Sequence, residues 1–373
     1  MKEYIYYLAY CSIIFFSCKR DIHQPKQKNN RTVLVYMEAN NNLKYDALNS
    51  VNGMEQGALN IDGILLVYIK TTNRYSYLLK IKHDTNRNKI ASDTVKTFEN
   101  ENFSGPENLK DVVLFSQSHY PSSSYGLILW SHATSWAPSE QSLPKVKSFG
   151  YDRGREMDII ELKEALPNNL DFIIFDACSM ASLEVLFELK DKAKYILASP
   201  SETIADSYPY ETITSYLFKD LDVLKSIAKE YFNYYNSLTG LRQSATVSVI
   251  ETKELGALAS KMKDLILKTK KPDDTLVRSN VQRMDFSTTF PVPQYDFLDF
   301  LNKNFDQLEA TELILQLDKM VKYTAHTPYF LGNKIETSSG VTTHIPNKED
   351  KNLNYYKKLK WYTAAGYNQL FDK

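Results

Sequence analysis

The chain has few cysteines and no excess of either charge. Its 373 residues contain only three cysteines, and 45 basic residues balance 45 acidic ones. A net charge of zero gives no electrostatic basis for binding nucleic acid, so we expect no nucleic-acid partner. Apolar residues make up 43% of the chain and aromatic residues 13%, which is enough for a sizeable core.

The sequence also lacks the residue patterns of two classes of enzyme. No Gly-x-Ser-x-Gly motif occurs, which argues against a serine hydrolase of the α/β-hydrolase type. Five of the six histidines show no ligand spacing with cysteines or acids, so we expect no metal enzyme; they are His23, His83, His119, His326 and His344. The sequence contains no internal repeat, and no apolar run after residue 16 is long enough to cross a bilayer.

The first 31 residues predict export. Residues 4–16 form an apolar run that is typical of the hydrophobic region of a secretory signal. The tripeptide Phe-Ser-Cys that ends at Cys18 resembles a bacterial lipobox, so we expect residues 1–18 to hold the signal and Cys18 to be lipidated after cleavage. Residues 19–31 are polar and aperiodic, which indicates a tether. An ordinary signal peptide or a membrane anchor is the alternative.

These N-terminal predictions leave one free thiol. Cys11 would leave with the signal and Cys18 would carry lipid, so Cys178 would be the single free cysteine and no intrachain disulfide could form. An exported domain that keeps one unpaired thiol is a candidate to use it chemically. We therefore expect a lipid-anchored protein of the bacterial cell envelope, whose membrane face the sequence does not identify.

Strand and helix patterns alternate in the first part of the mature chain. The predicted strands are residues 32–37, 64–69, 75–83, 125–130, 172–175, 195–198 and 246–250. The predicted helices between them are residues 43–58, 106–119 and 157–166. Such alternation favours an α/β fold with a mainly parallel central sheet flanked by helices.

The later part of the chain is mostly helical by pattern. Helices are predicted over residues 221–235, 252–268, 295–301 and 310–323, and the apolar run 340–345 is expected to complete a small sheet edge. We expect two parts, a catalytic core over residues 32–210 and a helical C-terminal part over residues 211–373 that packs on it.

Cys178 follows one of the predicted strands at once. The apolar run 172–175 ends in Asp176, Ala177 and Cys178, and a helical apolar spacing begins within a few residues, with Ser179 or Ser182 available to cap the helix. Ligands of open α/β sheets bind beyond the carboxyl ends of the strands, and a helix N-terminus stabilises a thiolate. Cys178 is therefore a candidate nucleophile; a small buried apolar residue is the alternative reading.

His132 follows another strand in the same way. The run Tyr125 to Trp130 ends in Ser131 and His132, and His132 precedes Cys178 by 46 residues. That spacing is close to the roughly 50 residues between histidine and cysteine in caspase-like enzymes. In a parallel sheet both residues would lie on one edge, where they could form a nucleophile and its base.

The cysteine motif resembles that of the clostripain family of cysteine peptidases, which share the caspase-like fold. The matching residues are Asp176, Ala177, Cys178, Met180, Ala181, Ser182, Glu184 and Val185, followed downstream by Asp206, Tyr208, Pro209 and Tyr210. The stretch VYMEANNNLKYDALNSVNGMEQG and the segment GVTTHIP with its aromatic tail resemble the family as well. The histidine motif departs from the family, because Ala133 and Ser135 stand where glycines are usual.

The resemblance implies roles for these residues. Cys178 would be the nucleophile and His132 the base, and the backbone amides of Ala133 and Cys178 would form the oxyanion hole. Asp176 and Asp206 would line the pocket for the residue before the scissile bond, which favours Arg or Lys there. The partners would then be proteins or peptides with basic residues.

The resemblance also leaves points open. Lys145, Lys147, Arg153 and Arg155 are candidates for self-cleavage in a long basic loop; a variable loop that is never cut is the alternative. No cofactor is expected, although calcium dependence occurs in some relatives. We expect a monomer. The competing function is a catalytically impaired lipoprotein that keeps the fold and binds peptides.

Overall fold

The computed structural model describes residues 29–99, 105–137, 148–152, 155–220, 222–270, 272–286 and 292–372. The predicted signal with Cys18, nearly all of the predicted tether, and Lys145, Lys147 and Arg153 lie outside these residues. No helix in the described part of the chain is long and apolar enough to cross a membrane.

The strands of the described residues form one large sheet and three small ones. In chain order they are β1 (Asn29–Glu38), β2 (Ile64–Lys70), β3 (Tyr75–Lys80), β4 (Asp93–Glu99), β5 (Ser122–Trp130), β6 (Phe149–Asp152), β7 (Arg155–Met157), β8 (Leu170–Asp176), β9 (Ala193–Ala198), β10 (Thr246–Glu251), β11 (Tyr295–Asp296), β12 (Val321–His326), β13 (Tyr329–Phe330), β14 (Asn333–Lys334) and β15 (Thr342–Thr343). The large sheet has the order β12-β10-β9-β8-β5-β1-β2-β3-β4.

Helices connect and cover these strands. They are α1 (Lys44–Gly57), α2 (Pro106–His119), α3 (Ile159–Ala165), α4 (Leu183–Leu189), α5 (Tyr210–Ile213), α6 (Val223–Asn236), α7 (Leu255–Thr269), α8 (Phe297–Asn304), α9 (Gln307–Met320), α10 (Leu353–Tyr356), α11 (Lys360–Ala364) and α12 (Asn368–Phe371). Short 3-10 helices occupy Thr214–Phe218, Gly240–Arg242, Thr252–Glu254 and Asp273–Thr275.

The predicted fold class is confirmed. The five adjacent strands β9, β8, β5, β1 and β2 run parallel. Antiparallel strands complete both edges, so the whole sheet is mixed around a parallel centre. Two of these edge strands, β10 and β12, come from the later part of the chain, which therefore supplies strands to the sheet as well as helices.

The secondary structure predicted from the sequence is wrong at both edges of the sheet. Residues 321–323 were predicted to end a helix, but α9 stops at Met320 and these residues begin β12, which pairs with β10. Pairing satisfies backbone groups of β10 that would otherwise form an open edge. β4 was not predicted at all; its side chains are largely exposed, so its composition carries little apolar signal.

Alternate residues of the central strands enter two apolar layers. Leu34 and Tyr36 of β1 face the layer that contains α2, α4 and α7, whereas Val33 and Val35 face the layer that contains α1 and α6. Successive side chains of a strand point to opposite faces, so a strand buried on both faces reads as a continuous apolar run. This is why the central strands were identifiable from sequence.

β5 and β8 approach each other closely at Gly126. Gly126 pairs with Phe172, and a Cβ at residue 126 would lie 2.1 Å from the Phe172 ring. Only glycine leaves room for this ring. This contact fixes the relative position of β5 and β8, whose carboxyl ends lead to His132 and Cys178.

Candidate active site

His132 and Cys178 both stand at the carboxyl edge of the parallel sheet. Trp130, the last residue of β5, pairs with Asp176, the last residue of β8. His132 and Cys178 each stand two residues beyond that pair. The register therefore brings both residues to one edge, as their positions in the sequence predicted.

Cys178 lies in a turn between β8 and α4, and not at the helix itself. Ser179 adopts a positive φ of 60°, and its N–H donates to the carbonyl of Ser201 at 2.7 Å. α4 begins only at Leu183, with Ser182 as its cap. The choice of Ser182 as a possible cap is confirmed, but the expectation that the helix N-terminus holds the thiol is wrong.

The Cys178 thiol is held by Thr203. The Thr203 N–H donates to Sγ at 3.3 Å, and the Thr203 hydroxyl lies 3.6 Å from Sγ. Burial raises the pKa of the Cys178 thiol, while the hydrogen bonds with Thr203 act in the opposite direction. At neutral pH the thiol is therefore protonated, and a base is needed to generate the nucleophile.

His132 is a neutral imidazole at neutral pH. Burial lowers its pKa below the ordinary value. Its Nε2 lies 2.8 Å from Oδ1 of Asn42, and the Tyr151 ring meets it edge-on with 6.2 Å between ring centroids. Among the described residues, no hydrogen bond joins the imidazole directly to the Cys178 thiol. The two groups share an edge, but each contacts a different neighbour.

The segment 148–152 supports the loop that carries His132. The Gly150 N–H donates to the carbonyl of His132 at 3.1 Å, and the Thr134 N–H donates to the carbonyl of Ser148 at 3.2 Å. This pairing leaves the N–H of Ala133 out of the hydrogen-bonded ladder. The φ of Ala133 is not positive, so alanine replaces the family's glycine here without backbone strain.

Asp176 is buried and serves as an internal hydrogen-bond acceptor. It accepts from the Ser207 hydroxyl at 2.6 Å, the Tyr210 hydroxyl at 2.9 Å and the Tyr208 N–H at 3.5 Å. Burial raises the pKa of Asp176 to about 6, against the effect of these three bonds. Asp176 lies behind Tyr208 and Tyr210 and does not itself line the neighbouring cleft.

Asp206 lines that cleft, which has a volume of about 300 Å³. Its carboxylate is exposed and pairs with the guanidinium of Arg242. Asp46 lies in the same cleft, and burial, followed by the charge of Asp206, raises the pKa of Asp46. A second pair, Arg87 with Glu211 at 2.6 Å, completes the charged lining. The cleft therefore holds one more carboxylate than guanidinium groups.

A larger groove of about 850 Å³ lies at the opposite edge of the sheet. Its charged side chains pair with one another, as Lys194 does with Asp171 and Lys253 does with Glu251. It lies at the amino ends of β5 and β8, at the edge away from His132 and Cys178, so its size does not make it the active site. In the described part of the chain, no group of three or more His, Cys, Asp or Glu residues could hold a metal ion.

Sequence reasoning missed Asn42, Thr203, Arg242 and Asp46. Asn42 belongs to the run of three asparagines that follows β1 at the same sheet edge, and this position was a usable signal. The other three residues reach the site from separate loops and helices, and nothing in the sequence pattern marks them.

Comparisons with known proteins find similar chains over nearly the whole length of this one. The family model described as the clostripain family matches residues 35–369. Clostripain from Hathewaya histolytica is 22% identical over 446 residues, covering 94% of this chain and 83% of that protein. Two solved structures each cover 91% of this chain and 99% of their own. One is an inactive zymogen of a C11 protease from Parabacteroides distasonis, 29% identical with a TM-score of 0.78. The other is a secreted C11 cysteine protease from Bacteroides thetaiotaomicron in complex with an irreversible peptide inhibitor, 26% identical with a TM-score of 0.77.

Proposed function

Since this chain belongs to the clostripain family of cysteine peptidases, we propose that it is an exported endopeptidase in which Cys178 is the nucleophile and His132 the base. The observation that supports these roles most strongly is the register of β5 and β8. The paired strand ends Trp130 and Asp176 carry the two residues to one edge of the sheet.

The protonation states of the two groups suit this chemistry. The half-buried Cys178 thiol holds its proton because its pKa is raised, and the half-buried His132 imidazole is free to take that proton because its pKa is lowered. The thiolate attacks the scissile carbonyl, and the imidazolium then gives the proton to the leaving amine. Water attacks the resulting thioester, with the imidazole again acting as base.

The oxyanion of each tetrahedral intermediate is bound by the N–H groups of Cys178 and Ala133. The Ala133 N–H lies outside the pairing between residues 132–134 and 148–150, and the turn after β8 uses the N–H groups of Ser179 and Ala181 for its own bonds. Both proposed donors thus remain available to a substrate.

We place the preference for Arg or Lys in the cleft beside Asp206. Asp206 and Asp46 give the cleft acidic character, and the guanidinium of Arg242 already pairs with Asp206. A substrate arginine would form the same pair by displacing Arg242. Asp176 supports the wall of this cleft through Tyr208 and Tyr210 and does not contact the substrate cation.

Export through a lipid on Cys18 and self-cleavage at Lys145 or Lys147 also remain proposals. The relative from Bacteroides thetaiotaomicron is described as secreted, which supports export of this chain. The segment beyond Lys147 supports His132 through Gly150 and Ser148, so a cut there would act on the base and not on the nucleophile.

The test is cleavage of an arginyl peptide by the purified protein and by Cys178→Ala. We expect the substitution to lower kcat/KM by at least about 1,000-fold, because the nucleophile is lost. His132→Ala should cause a loss of similar size, while His119→Ala, an exposed histidine at the end of α2, should leave cleavage unchanged. Retained cleavage by Cys178→Ala would refute the proposal. Tight peptide binding without any cleavage by the wild type would instead favour a peptide-binding protein.

A further inference from the structure

We propose that Asn42 is a positioning residue that fixes the tautomer of His132, so that Nδ1 is the atom that takes the thiol proton. This inference rests on the proposed role of His132 as the base. It starts from the contact of 2.8 Å between Asn42 Oδ1 and His132 Nε2. Asn42 would thus determine which ring nitrogen of His132 accepts the thiol proton.

The neutral imidazole of His132 carries its hydrogen on one of its two ring nitrogens. Burial lowers the pKa of His132, so the imidazole is neutral and carries a single N–H. An amide oxygen only accepts hydrogen bonds, so its partner Nε2 must be the nitrogen that carries the hydrogen. Nδ1 is then the unprotonated nitrogen, and it alone can accept a proton from a thiol.

Two neighbouring strands of the sheet bring Asn42 to His132. β1 and β5 are parallel neighbours, and Met37 pairs with Trp130. The chain segments that follow the two strands therefore leave the sheet side by side. Asn42 stands five residues beyond Met37, and His132 stands two residues beyond Trp130, which allows a contact between residues that are 90 positions apart in the sequence.

The two asparagines before Asn42 anchor the loop that carries it. The side-chain amide of Asn41 donates to the carbonyl of Tyr151 at 2.7 Å, and its Oδ1 accepts from the Leu43 N–H at 2.8 Å. Asn40 donates to Asn73 at 2.8 Å and also to Asp152. Asp152 in turn forms a buried ion pair with Lys70 of β2. The backbone on both sides of Asn42 is thus fixed, and the exposed Asn42 side chain is left to orient the imidazole.

Besides Asn42, the His132 ring has two neighbours at this edge of the sheet. Tyr151 of β6 flanks it edge-on, and Cys178 lies on the adjoining strand end. Neither provides an acceptor at Nε2. Burial is the cause of the lowered His132 pKa, with no charged neighbour contributing. Asn42 therefore provides the contact that distinguishes one ring nitrogen from the other.

The experiment compares the purified wild-type protein with Asn42→Ala and Asn42→Asp. Kinetics use an arginyl peptide from pH 5 to 9, and ¹⁵N NMR of histidine-labelled protein reports the tautomer of His132, assigned by its loss in His132→Ala. Asn169→Ala, an exposed asparagine in the groove at the opposite edge of the sheet, is the control. Melting temperatures establish that each variant is folded.

In the wild type we expect the hydrogen of the neutral ring on Nε2. Asn42→Ala should yield a mixture of tautomers and lower kcat by roughly 10- to 100-fold, as does loss of a partner that orients a metal-ligating histidine, with KM changed by no more than about twofold. Asn42→Asp keeps the acceptor, so it should retain the Nε2 tautomer and most of kcat. Its carboxylate favours the imidazolium, so the acid limb of the pH profile should move to higher pH.

An Nδ1–H tautomer in the wild type would overturn the inference, as would an Asn42→Ala variant with wild-type kcat, pH profile and tautomer. Failure of the proposed function has a different signature, namely that Cys178→Ala retains cleavage. The NMR measurement tests the contact between Asn42 and His132 in either case.

Discussion

The cysteine side and the histidine side of this site are built in different ways. The turn that carries Cys178 continues directly into α4, every residue of which is buried. The loop that carries His132 is supported instead by the asparagines after β1 and by the segment 148–152. The turn of the nucleophile thus leads into a buried helix and is held by Ser201 and Thr203, whereas the base depends on loops that follow other strands.

The difference is clearest in the polar groups below each side. On the cysteine side, Glu184 of α4 is buried and accepts from the Thr343 hydroxyl at 3.0 Å, the His344 N–H at 2.9 Å and the Tyr356 hydroxyl at 3.0 Å. On the histidine side, Asn42 and Tyr151 reach the ring from the surface.

The largest expected effect tests the anchoring of the cysteine side. Glu184→Ala leaves three buried donors without their acceptor, and each unsatisfied buried group costs about 1–3 kcal/mol. We expect the free energy of unfolding to fall by roughly 3–5 kcal/mol, measured by chemical denaturation. Glu164→Ala, an exposed glutamate on α3, should change it by no more than about 0.5 kcal/mol. Equal effects of the two substitutions would break the comparison.

The second prediction uses the buried carboxylate of the cysteine side. The folded-state pKa of Asp176 is raised to about 6, above its value in the unfolded chain, so the folded state holds the proton more tightly between about pH 4 and pH 6. Stability contributed by the protonated carboxyl is present below about pH 4 and is lost as pH rises through 6. From this group alone we expect a loss of about 3 kcal/mol.

Asp176→Asn should remove this decline, which denaturant titrations at pH 4, 5, 6 and 7 would measure. The matched control is Asp171→Asn. Burial acts to raise the pKa of Asp171, but Lys194 and Ser124 outweigh burial and lower it. Asp171 therefore contributes stability that is lost as pH falls, the opposite sign. An unchanged slope in Asp176→Asn would contradict a raised pKa of Asp176 in the folded state.

The smallest expected effect lies in the cleft beside the cysteine side. Arg242→Ala frees the Asp206 carboxylate, so KM for an arginyl peptide should fall by about two- to fivefold, because this surface pair is worth little and no longer competes with the substrate. Arg87→Ala removes the same charge from the cleft but leaves the Asp206 pair intact. If both substitutions lower KM equally, net charge and not direct competition explains the effect.

Predictability from sequence follows the same division. The strand before Cys178, the Ser182 cap and the shared sheet edge follow from apolar runs and local spacing, because β8 and β5 are buried on both faces. The absence of a helix N-terminus at Cys178 depends on the positive φ of Ser179, which sequence pattern does not reveal. The contacts of Asn42 with His132 and of Arg242 with Asp206 join residues 90 and 36 positions apart, and only the folded chain brings them together.

The central claim is that His132 activates Cys178 for attack on basic substrates. The most direct test is the intact mass of the purified protein after incubation with an arginyl acyloxymethyl ketone, alongside His132→Ala and His119→Ala. We expect one adduct, on Cys178, in the wild type and in His119→Ala, and none in His132→Ala within the same time. An adduct that forms at the wild-type rate without His132, or that maps to a residue other than Cys178, would contradict the account.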